Sequence, residues 1–480
     1  MSTGPSSVPC PLRAAALASP GAAAVVGAPG AISYAELDRK VSAASSRLGE
    51  LGLGDGSRVA LYLPKDERYV VLLLALMRAG YVACPVNTRL PPGGVAPLLQ
   101  RAACSALISD DEKALQAAED LRGLRTEILL DAAQAPSGWP KPKEISLDLP
   151  STIIFTSGST SVPKAALHTF GNHYHSALGS NVNIALAPGD RWLHSLPLYH
   201  VGGLSILFRC LFAGAAVVLP DPAQPLGDAI AALGTTHASL VPTQLLRLLR
   251  EDADLNGLKA VLLGGGPIPA YLVDEAFTRG LPIHTSYGLT EMTSQVTTTP
   301  PGAALEELNT AGRVLPHREV SVSREGEILV RGETLFTGYV KGERIDRPVD
   351  AAGWFHTGDL GGLDEDGHLW VKGRQDNMFV SGGENVQPEE IEEALCRLQG
   401  VEEAVVVPIS DEEFGARPVA FVRVTGGAPE PGVLSRALES SLPRFKIPVS
   451  FHAWPIGDTE SMKVDRTAFG ERARRLGREG

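Results

Sequence analysis

Short aliphatic and β-branched runs, each bounded by Gly or Pro and separated from the next by an amphipathic segment, recur along most of this chain. That alternation restricts the fold more than any other feature. The runs at 58–63, 215–219 and 260–263 lack the polar alternation of a half-exposed strand, so strands buried on both faces of a parallel sheet are expected there. Between such runs lie helical patterns. Ser33-Tyr-Ala-Glu36 has the form of a capping box and opens a segment reaching about residue 52. Strand and helix alternating over most of the length imply an α/β architecture.

The 480 residues leave room for two or three folding units. Near residue 320 the texture changes to short alternating strands, at 319–322, 327–331 and, after the turn Asp364-Glu-Asp-Gly367, 368–372. These are expected to form a small β-rich subdomain. Beyond Gly373-Arg374-Gln375-Asp376 comes a final unit, with a helix at 388–398, strands at 403–408 and 419–424, and a helix at 434–442. The expected organisation is a large N-terminal domain of α/β layers with its β-rich subdomain over 1–373, a connection at 374–376, and a small α+β C-terminal domain over 377–480.

Composition narrows the function classes. Hydrophobic residues make up 44% and charged residues 20% of the chain, which excludes a disordered or fibrous protein. Forty-three Lys and Arg against 55 Asp and Glu give a net charge of −12, without the basic stripe of a nucleic-acid binder. An anionic substrate must therefore be met by a local cluster of donors working against the global field. Cys10, Cys84, Cys104, Cys210 and Cys396 are widely spaced and form no CxxC, which points to reduced thiols and no zinc site. The longest strongly apolar stretch, 69–77, is too short to cross a bilayer. The Ala-rich segment 13–26 is interrupted by Pro20 and Gly21 and has no basic segment before it, unlike a signal peptide. A cytoplasmic enzyme acting on small molecules is expected, with no nucleic acid and no membrane insertion; homo-oligomerisation stays open.

The segment from Ser151 to Lys164, Ser-Thr-Ile-Ile-Phe-Thr-Ser-Gly-Ser-Thr-Ser-Val-Pro-Lys, runs a short strand into a loop of hydroxyl residues and glycine that ends in lysine. Backbone N–H groups and hydroxyls in such a loop can wrap phosphate oxygens, with an ammonium beside them. It is not a Walker A loop, because Pro163 holds the place of the Gly before the Lys. Alone, it serves equally well as a polar surface loop. The motifs after it narrow the reading: Gly264-Gly265-Gly266, where a backbone without Cβ can approach a flat ligand; Ser286-Tyr-Gly-Leu-Thr290-Glu291; Gly353-Trp-Phe-His-Thr-Gly-Asp359; Arg374; and Glu460-Ser-Met-Lys463.

In this order and spacing the motifs resemble those of the adenylate-forming superfamily, which includes acyl-CoA synthetases, firefly luciferase and non-ribosomal peptide adenylation domains. The resemblance implies a nucleotide site. Thr156, Ser157, Gly158, Ser159, Thr160 and Lys164 would wrap phosphates; Gly264, Gly265, Gly266, Ser286, Tyr287 and Gly288 would flank the adenine; Asp359 and Arg374 would hold the ribose. Thr290 would contact phosphate, and Glu291 would ligate Mg²⁺, for which one carboxylate suffices beside phosphate oxygens. Lys463, which completes the implied catalytic set with Thr290 and Glu291, would neutralise charge developing between carboxylate oxygen and α-phosphorus. Also implied is a small domain that turns about a hinge at Asp376 and brings the Gly382-Gly383 loop to CoA. The chain departs from the commonest family pattern at Ser161, where Gly is usual, and at Met462 before the lysine.

Flanking residues point to one branch. The runs Phe155 to His168, Leu198-Tyr-His200 to Leu207, Thr293-Ser294-Gln295 and Asp376 to Glu390 resemble the CoA ligases of menaquinone biosynthesis, and the likeness covers nearly the whole chain. Their acid is an aromatic ring with one carboxylate and a succinyl arm with a second. The implied reaction is an AMP-forming acid–thiol ligation, with ATP and CoA as co-substrates. One carboxylate is activated and the other needs recognition. Arg209 can grip it through two parallel hydrogen bonds, with Ser294 and Gln295 as neutral donors and His200 against the acyl group. Alternatively Arg209 is an exposed helix arginine and His200 a satisfied core histidine. A CoA ligase for another aromatic or medium-chain acid, a stand-alone adenylation domain that loads a carrier protein, and a degenerate nucleotide-binding scaffold also remain open at this level.

Overall fold

A computed structural model describes residues 5–130, 144–156, 163–425, 430–439, 441–455 and 464–479. The apolar runs form two large sheets. One has eight strands in the order Arg344–Asp346, Gly338–Lys341, Lys164–Thr169, Pro150–Thr156, Val82–Pro85, Arg58–Tyr62, Ala106–Ser109 and Arg122–Leu124. The other has nine, in the order Arg313–Val314, Ser294–Thr298, Ile283–Leu289, Ala260–Leu263, His237–Leu240, Arg191–Leu193, Ala216–Leu219, Ala23–Gly27 and Gly30–Ser33. The continuous apolar runs pair in parallel, Arg58–Tyr62 with Val82–Pro85 and Ala106–Ser109, and Ala260–Leu263 with His237–Leu240 and Ile283–Leu289. Helices on both faces leave no side for polar alternation.

Between the sheets, the largest core joins Val59 and Leu61 of one to Trp192 and Val217 of the other through helices Tyr34–Glu50, Glu67–Arg78, Phe170–Asn183 and Val201–Ala213. Pro92–Arg101 covers the far face of the eight-stranded sheet; Pro242–Arg250 and Ala270–Thr278 cover that of the nine-stranded sheet. The capping box forms as read: Ser33 Oγ accepts from the Glu36 N–H, and the Glu36 carboxylate accepts from the Ser33 N–H at 2.9 Å.

The β-rich subdomain is a four-stranded antiparallel sheet of Arg318–Val322, Glu327–Gly332, Phe355–Leu363 and Leu369–Arg374. Strands Gly338–Lys341 and Arg344–Asp346, lying between these in sequence, instead extend the eight-stranded sheet, with Tyr339 opposite Ala166. Sequence reading missed them because they are short and charged. Gln375–Asn377 forms a single 3₁₀ turn after Leu369–Arg374. Beyond it, Val401–Asp411 and Gly415–Val424 form a hairpin joined in parallel by Ser450–Ala453. Helices Pro388–Cys396 and Pro431–Leu438 pack on one face of this sheet and Arg466–Glu479 on the other. The second of these helices begins and ends a few residues before the expected 434–442, with Pro431 in its first turn, a position that suits proline. Arg466 clamps the buried Glu392 with two hydrogen bonds of 2.6 Å. All five cysteines are free, and no described helix is long and apolar enough to cross a membrane.

Buried histidines couple this fold to pH. His168 donates from Nε2 to the Thr290 carbonyl at 2.8 Å. Burial lowers its pKa from the ordinary 6.5 to about 4 and that of His194 to about 3. Folding that favours the neutral imidazole contributes stability that is complete above the unfolded-state pKa and is lost as pH falls toward the folded one. Denaturant titrations are therefore expected to show a stability plateau above pH 6.5 and a decline from there toward pH 4, with a shallower slope in His168→Gln; a flat profile would contradict this.

Candidate functional site

The expected site residues fall into separate groups, and two of the loops meet at one sheet edge. Strands Ala260–Leu263 and Ile283–Leu289 run side by side, Leu263 opposite Thr285, so Gly264–Gly266 leaves at the carboxyl edge of this pair, where Ser286–Gly288 runs on, paired on its other side with Ser294–Thr298. Open α/β sheets bind their ligands there. Ser286 Oγ donates to the Leu263 carbonyl at 2.7 Å and ties the two segments together. In the other sheet Thr156 and Lys164 stand directly opposite each other, at the ends of antiparallel strands. Ser157, Gly158, Ser159 and Thr160 lie outside the described residues, as do Lys463 and the two departures, Ser161 and Met462.

A first chain of contacts links the two sheets. Lys164 Nζ lies 5.0 Å from the centre of the Tyr339 ring, and the Tyr339 hydroxyl donates to Glu291 Oε1 at 2.5 Å. Burial, and then the Glu291 carboxylate, push the Tyr339 phenol upward, so it remains a donor. Glu291 sits in the 3₁₀ turn Thr290–Met292, fixed from both sides: the Thr290 carbonyl accepts from His168, and the Glu291 carbonyl accepts from the Phe336 N–H at 2.8 Å. Among the described residues no three metal-ligating side chains cluster. A single carboxylate with one oxygen engaged by a neutral phenol fits a Mg²⁺ ion held mainly by phosphate oxygens.

A second chain of contacts joins Tyr287, Asp359 and Arg374. Asp359 and Arg374 are cross-strand partners of Phe355–Leu363 and Leu369–Arg374. Arg374 reaches Asp359 Oδ1 at 3.1 Å and Asp376 Oδ2 at 3.2 Å, and the Tyr287 hydroxyl donates to Asp359 Oδ2 at 2.6 Å. Burial, and then Asp359, hold the Tyr287 phenol well above its ordinary pKa. A carboxylate offers about four acceptor directions, so these contacts leave capacity for a sugar diol.

Arg209 corrects the reading as an exposed helix arginine, for it is 1% exposed. Helix Val201–Ala213 continues a turn beyond it and sets its guanidinium 5.2 Å from the Trp192 ring. There it donates to Ser294 Oγ at 3.1 Å and to Gln295 Oε1 at 2.7 Å. Burial lowers its pKa only to about 10, so it stays cationic near neutrality. The structure thus brings Arg209, Ser294 and Gln295 together. His200 stands two and a half turns earlier, at the cap of the same helix, its ring 4.8 Å from that of Tyr199.

The backbone beneath this cluster is strained. Thr293 has φ +55° and Ser294 φ +107°, values that residues with a side chain adopt only when neighbours enforce them. Thr293 Oγ1 donates to the Thr334 carbonyl at 2.8 Å, and Ser176 Oγ donates to the Thr293 carbonyl at 2.6 Å. Gly288 completes the clamp: a Cβ there would lie 2.2 Å from the Ser294 carbonyl oxygen. Gly382 and Gly383 lie elsewhere, as the two-residue turn between Phe379–Ser381 and Glu384–Val386, with φ +61° and +85°. Tyr339 and Trp192 were missed because each reaches the site through strand pairing, and no local motif marks them.

The chain matches the AMP-binding enzyme family over residues 12–340 and the AMP-binding enzyme C-terminal domain over residues 390–462. It is 34% identical over 432 residues to the 2-succinylbenzoate–CoA ligase of Bacillus cereus, covering 87% of this chain and 88% of the relative. It is also similar to two structures of o-succinylbenzoate CoA synthetase from Bacillus subtilis. That in complex with the acyl-adenylate intermediate has a TM-score of 0.86 and 29% identity, covering 96% of this chain and 98% of that one. That in complex with ATP and magnesium ion has a TM-score of 0.85 and 30% identity, covering 93% and 96%.

Gly288→Ala is expected to lower stability by about 1–3 kcal/mol, the usual effect of forcing an extra carbon into a packed region. Chemical denaturation measures it; a wild-type midpoint would contradict the clamp.

Proposed function

The chain belongs to the AMP-binding enzyme family, and from that premise we propose that it is an ATP-dependent 2-succinylbenzoate–CoA ligase of menaquinone biosynthesis. The observation that carries the substrate assignment is Arg209, buried and hydrogen-bonded to the neutral Ser294 and Gln295. A buried charge without a counter-charge costs several kcal/mol. The second carboxylate of 2-succinylbenzoate supplies that counter-charge, and a monocarboxylic acid does not. The relatives, named for the same acid, support the reading.

The reaction has two halves. One carboxylate attacks the α-phosphorus of ATP, giving acyl-adenylate and pyrophosphate; the thiol of CoA then displaces AMP. No side chain acts as nucleophile, so the protein's contribution is to hold anions together and neutralise the charge that develops. Thr156, Lys164 and the hydroxyl loop between them grip phosphates. Mg²⁺, when bound, supplies charge neutralisation on phosphate oxygens, with Glu291 as its protein ligand and Tyr339 fixing that carboxylate. Thr290 contacts phosphate. Gly264, Gly265, Gly266, Ser286 and Gly288 border the adenine beside the Tyr287 ring, while the Tyr287 hydroxyl orients Asp359 toward the ribose.

Residues 1–373 form the platform, 374–376 the hinge and 377–480 the mobile domain. Lys463 reaches the reacting oxygen in the first half; turning about Asp376 withdraws it and brings Gly382 and Gly383 beside CoA in the second. Arg374 contacts Asp359 on one side of this hinge and Asp376 within it, so rotation can release one contact while the other persists. The free cysteines, the usual state in a reducing compartment, support a cytoplasmic location.

Mass spectrometry of products formed with ATP, Mg²⁺, CoA and a panel of acids tests the assignment. A CoA thioester of 2-succinylbenzoate with stoichiometric AMP is expected; preference for another acid, or transfer only to a carrier protein, would contradict it. Lys463→Ala is expected to slow adenylate formation at least about a hundredfold while sparing thioester formation from supplied acyl-adenylate. Equal losses in both half-reactions would exclude the two-conformation scheme.

A further inference from the structure

A second buried guanidinium lies beside the first. Arg318 opens strand Arg318–Val322 and is 6% exposed. It donates from Nε to the Gln295 carbonyl at 2.5 Å, from Nη1 to the Pro316 carbonyl at 2.7 Å, and from Nη2 to the carbonyl and the Oγ of Ser176, each at 3.2 Å. All these partners are neutral. Gln295 therefore stands between two cations, its side-chain oxygen on Arg209 and its main-chain oxygen on Arg318. Burial, and then the Arg209 charge, lower the Arg318 pKa to about 9, which still leaves it charged near neutrality. Among the described residues neither guanidinium has a carboxylate partner.

Three of the four bonds of Arg318 tie helix Phe170–Asn183 to strand Ser294–Thr298, a task neutral donors could perform. Its charge is superfluous to that task and unfavourable beside Arg209, because two like charges in a region of low dielectric repel. The arrangement becomes favourable when an anion is present to face both. We propose that Arg318 is a positioning and specificity-determining residue: it holds Ser294 and Gln295 against Arg209 and adds the second positive charge that makes this subsite demand a full carboxylate. The inference rests on the assignment of Arg209 to the unreacted carboxylate.

The test compares 2-succinylbenzoate with the analogue whose unreacted carboxylate is a carboxamide, in wild type, Arg209→Met, Arg318→Met and Arg318→Gln. Wild type is expected to prefer the dicarboxylate in kcat/KM, chiefly through KM. Arg318→Met is expected to reduce that preference about tenfold, the lower end of the coupling found between close charges across a binding site. Arg318→Gln removes the charge but keeps a hydrogen-bond donor, and is expected to reduce the preference similarly. Either variant, shown folded by circular dichroism, overturns the proposal if both acids lose equally, since a strut alone would act on both. If wild type lacks the preference, or Arg209→Met retains it, the Arg209 assignment fails. If Arg209→Met loses the preference and Arg318→Met keeps it, that assignment stands and only the present proposal falls.

Discussion

A buried guanidinium must be hydrogen-bonded, and Arg209 finds its partners only because the chain bends sharply at Thr293 and Ser294. Much of the site geometry follows from that requirement. The bend places Ser294 Oγ and the Gln295 amide under helix Val201–Ala213, and it needs Gly288 on the facing strand to let the Ser294 carbonyl approach. The same short segment carries Glu291 three residues earlier, so the proposed acid and nucleotide ends of the reaction share one rigid element. Ser176, Thr334 and His168 hold that element from three directions. Strain at a site so over-determined is a mark of function rather than of loose packing.

The global charge of −12 makes the local arrangement more telling. ATP, a dicarboxylic acid and CoA are all anionic, and the protein as a whole repels them. Its answer is to concentrate a few cations where the field is least screened: Arg209 and Arg318 deep between the sheets, Lys164 at the sheet edge, and Arg374 in the proposed hinge. Neutral phenols accompany the carboxylates in the same region. Tyr339 donates to Glu291 and Tyr287 to Asp359, which fixes each carboxylate without cancelling its charge. The acidic groups thus remain available to a cation and to a diol.

Much of this was legible in the residues alone. The runs at 58–63, 215–219 and 260–263 became parallel strands because a continuous apolar segment has few alternatives in a chain of this composition. The motif residues Thr156 and Arg374 end strands and Glu291 sits in a turn, where local sequence constrains the backbone strongly, while Ser286 and Asp359 lie within strands. What could not be read were the pairings. Nothing near Tyr339 marks it as the partner of Glu291; it gets there through the antiparallel register with Lys164–Thr169. The burial of Arg209 depends on Trp192 and Ser294, far from it in sequence, and an isolated helix position reads as exposed. Arg318, which no motif marks, is likewise buried by partners far from it in sequence, Ser176 and Gln295.

The central claim is that Arg209 receives the unreacted carboxylate of the acid, and a crystal structure of this chain with the acyl-adenylate of 2-succinylbenzoate tests it most directly. The account predicts that carboxylate within about 3 Å of the Arg209 guanidinium, the spacing of a charge-assisted hydrogen bond, with Ser294 and Gln295 beside it. A carboxylate directed to solvent or to another cation, with Arg209 still bonded to Ser294 and Gln295 as it is here, would contradict the account.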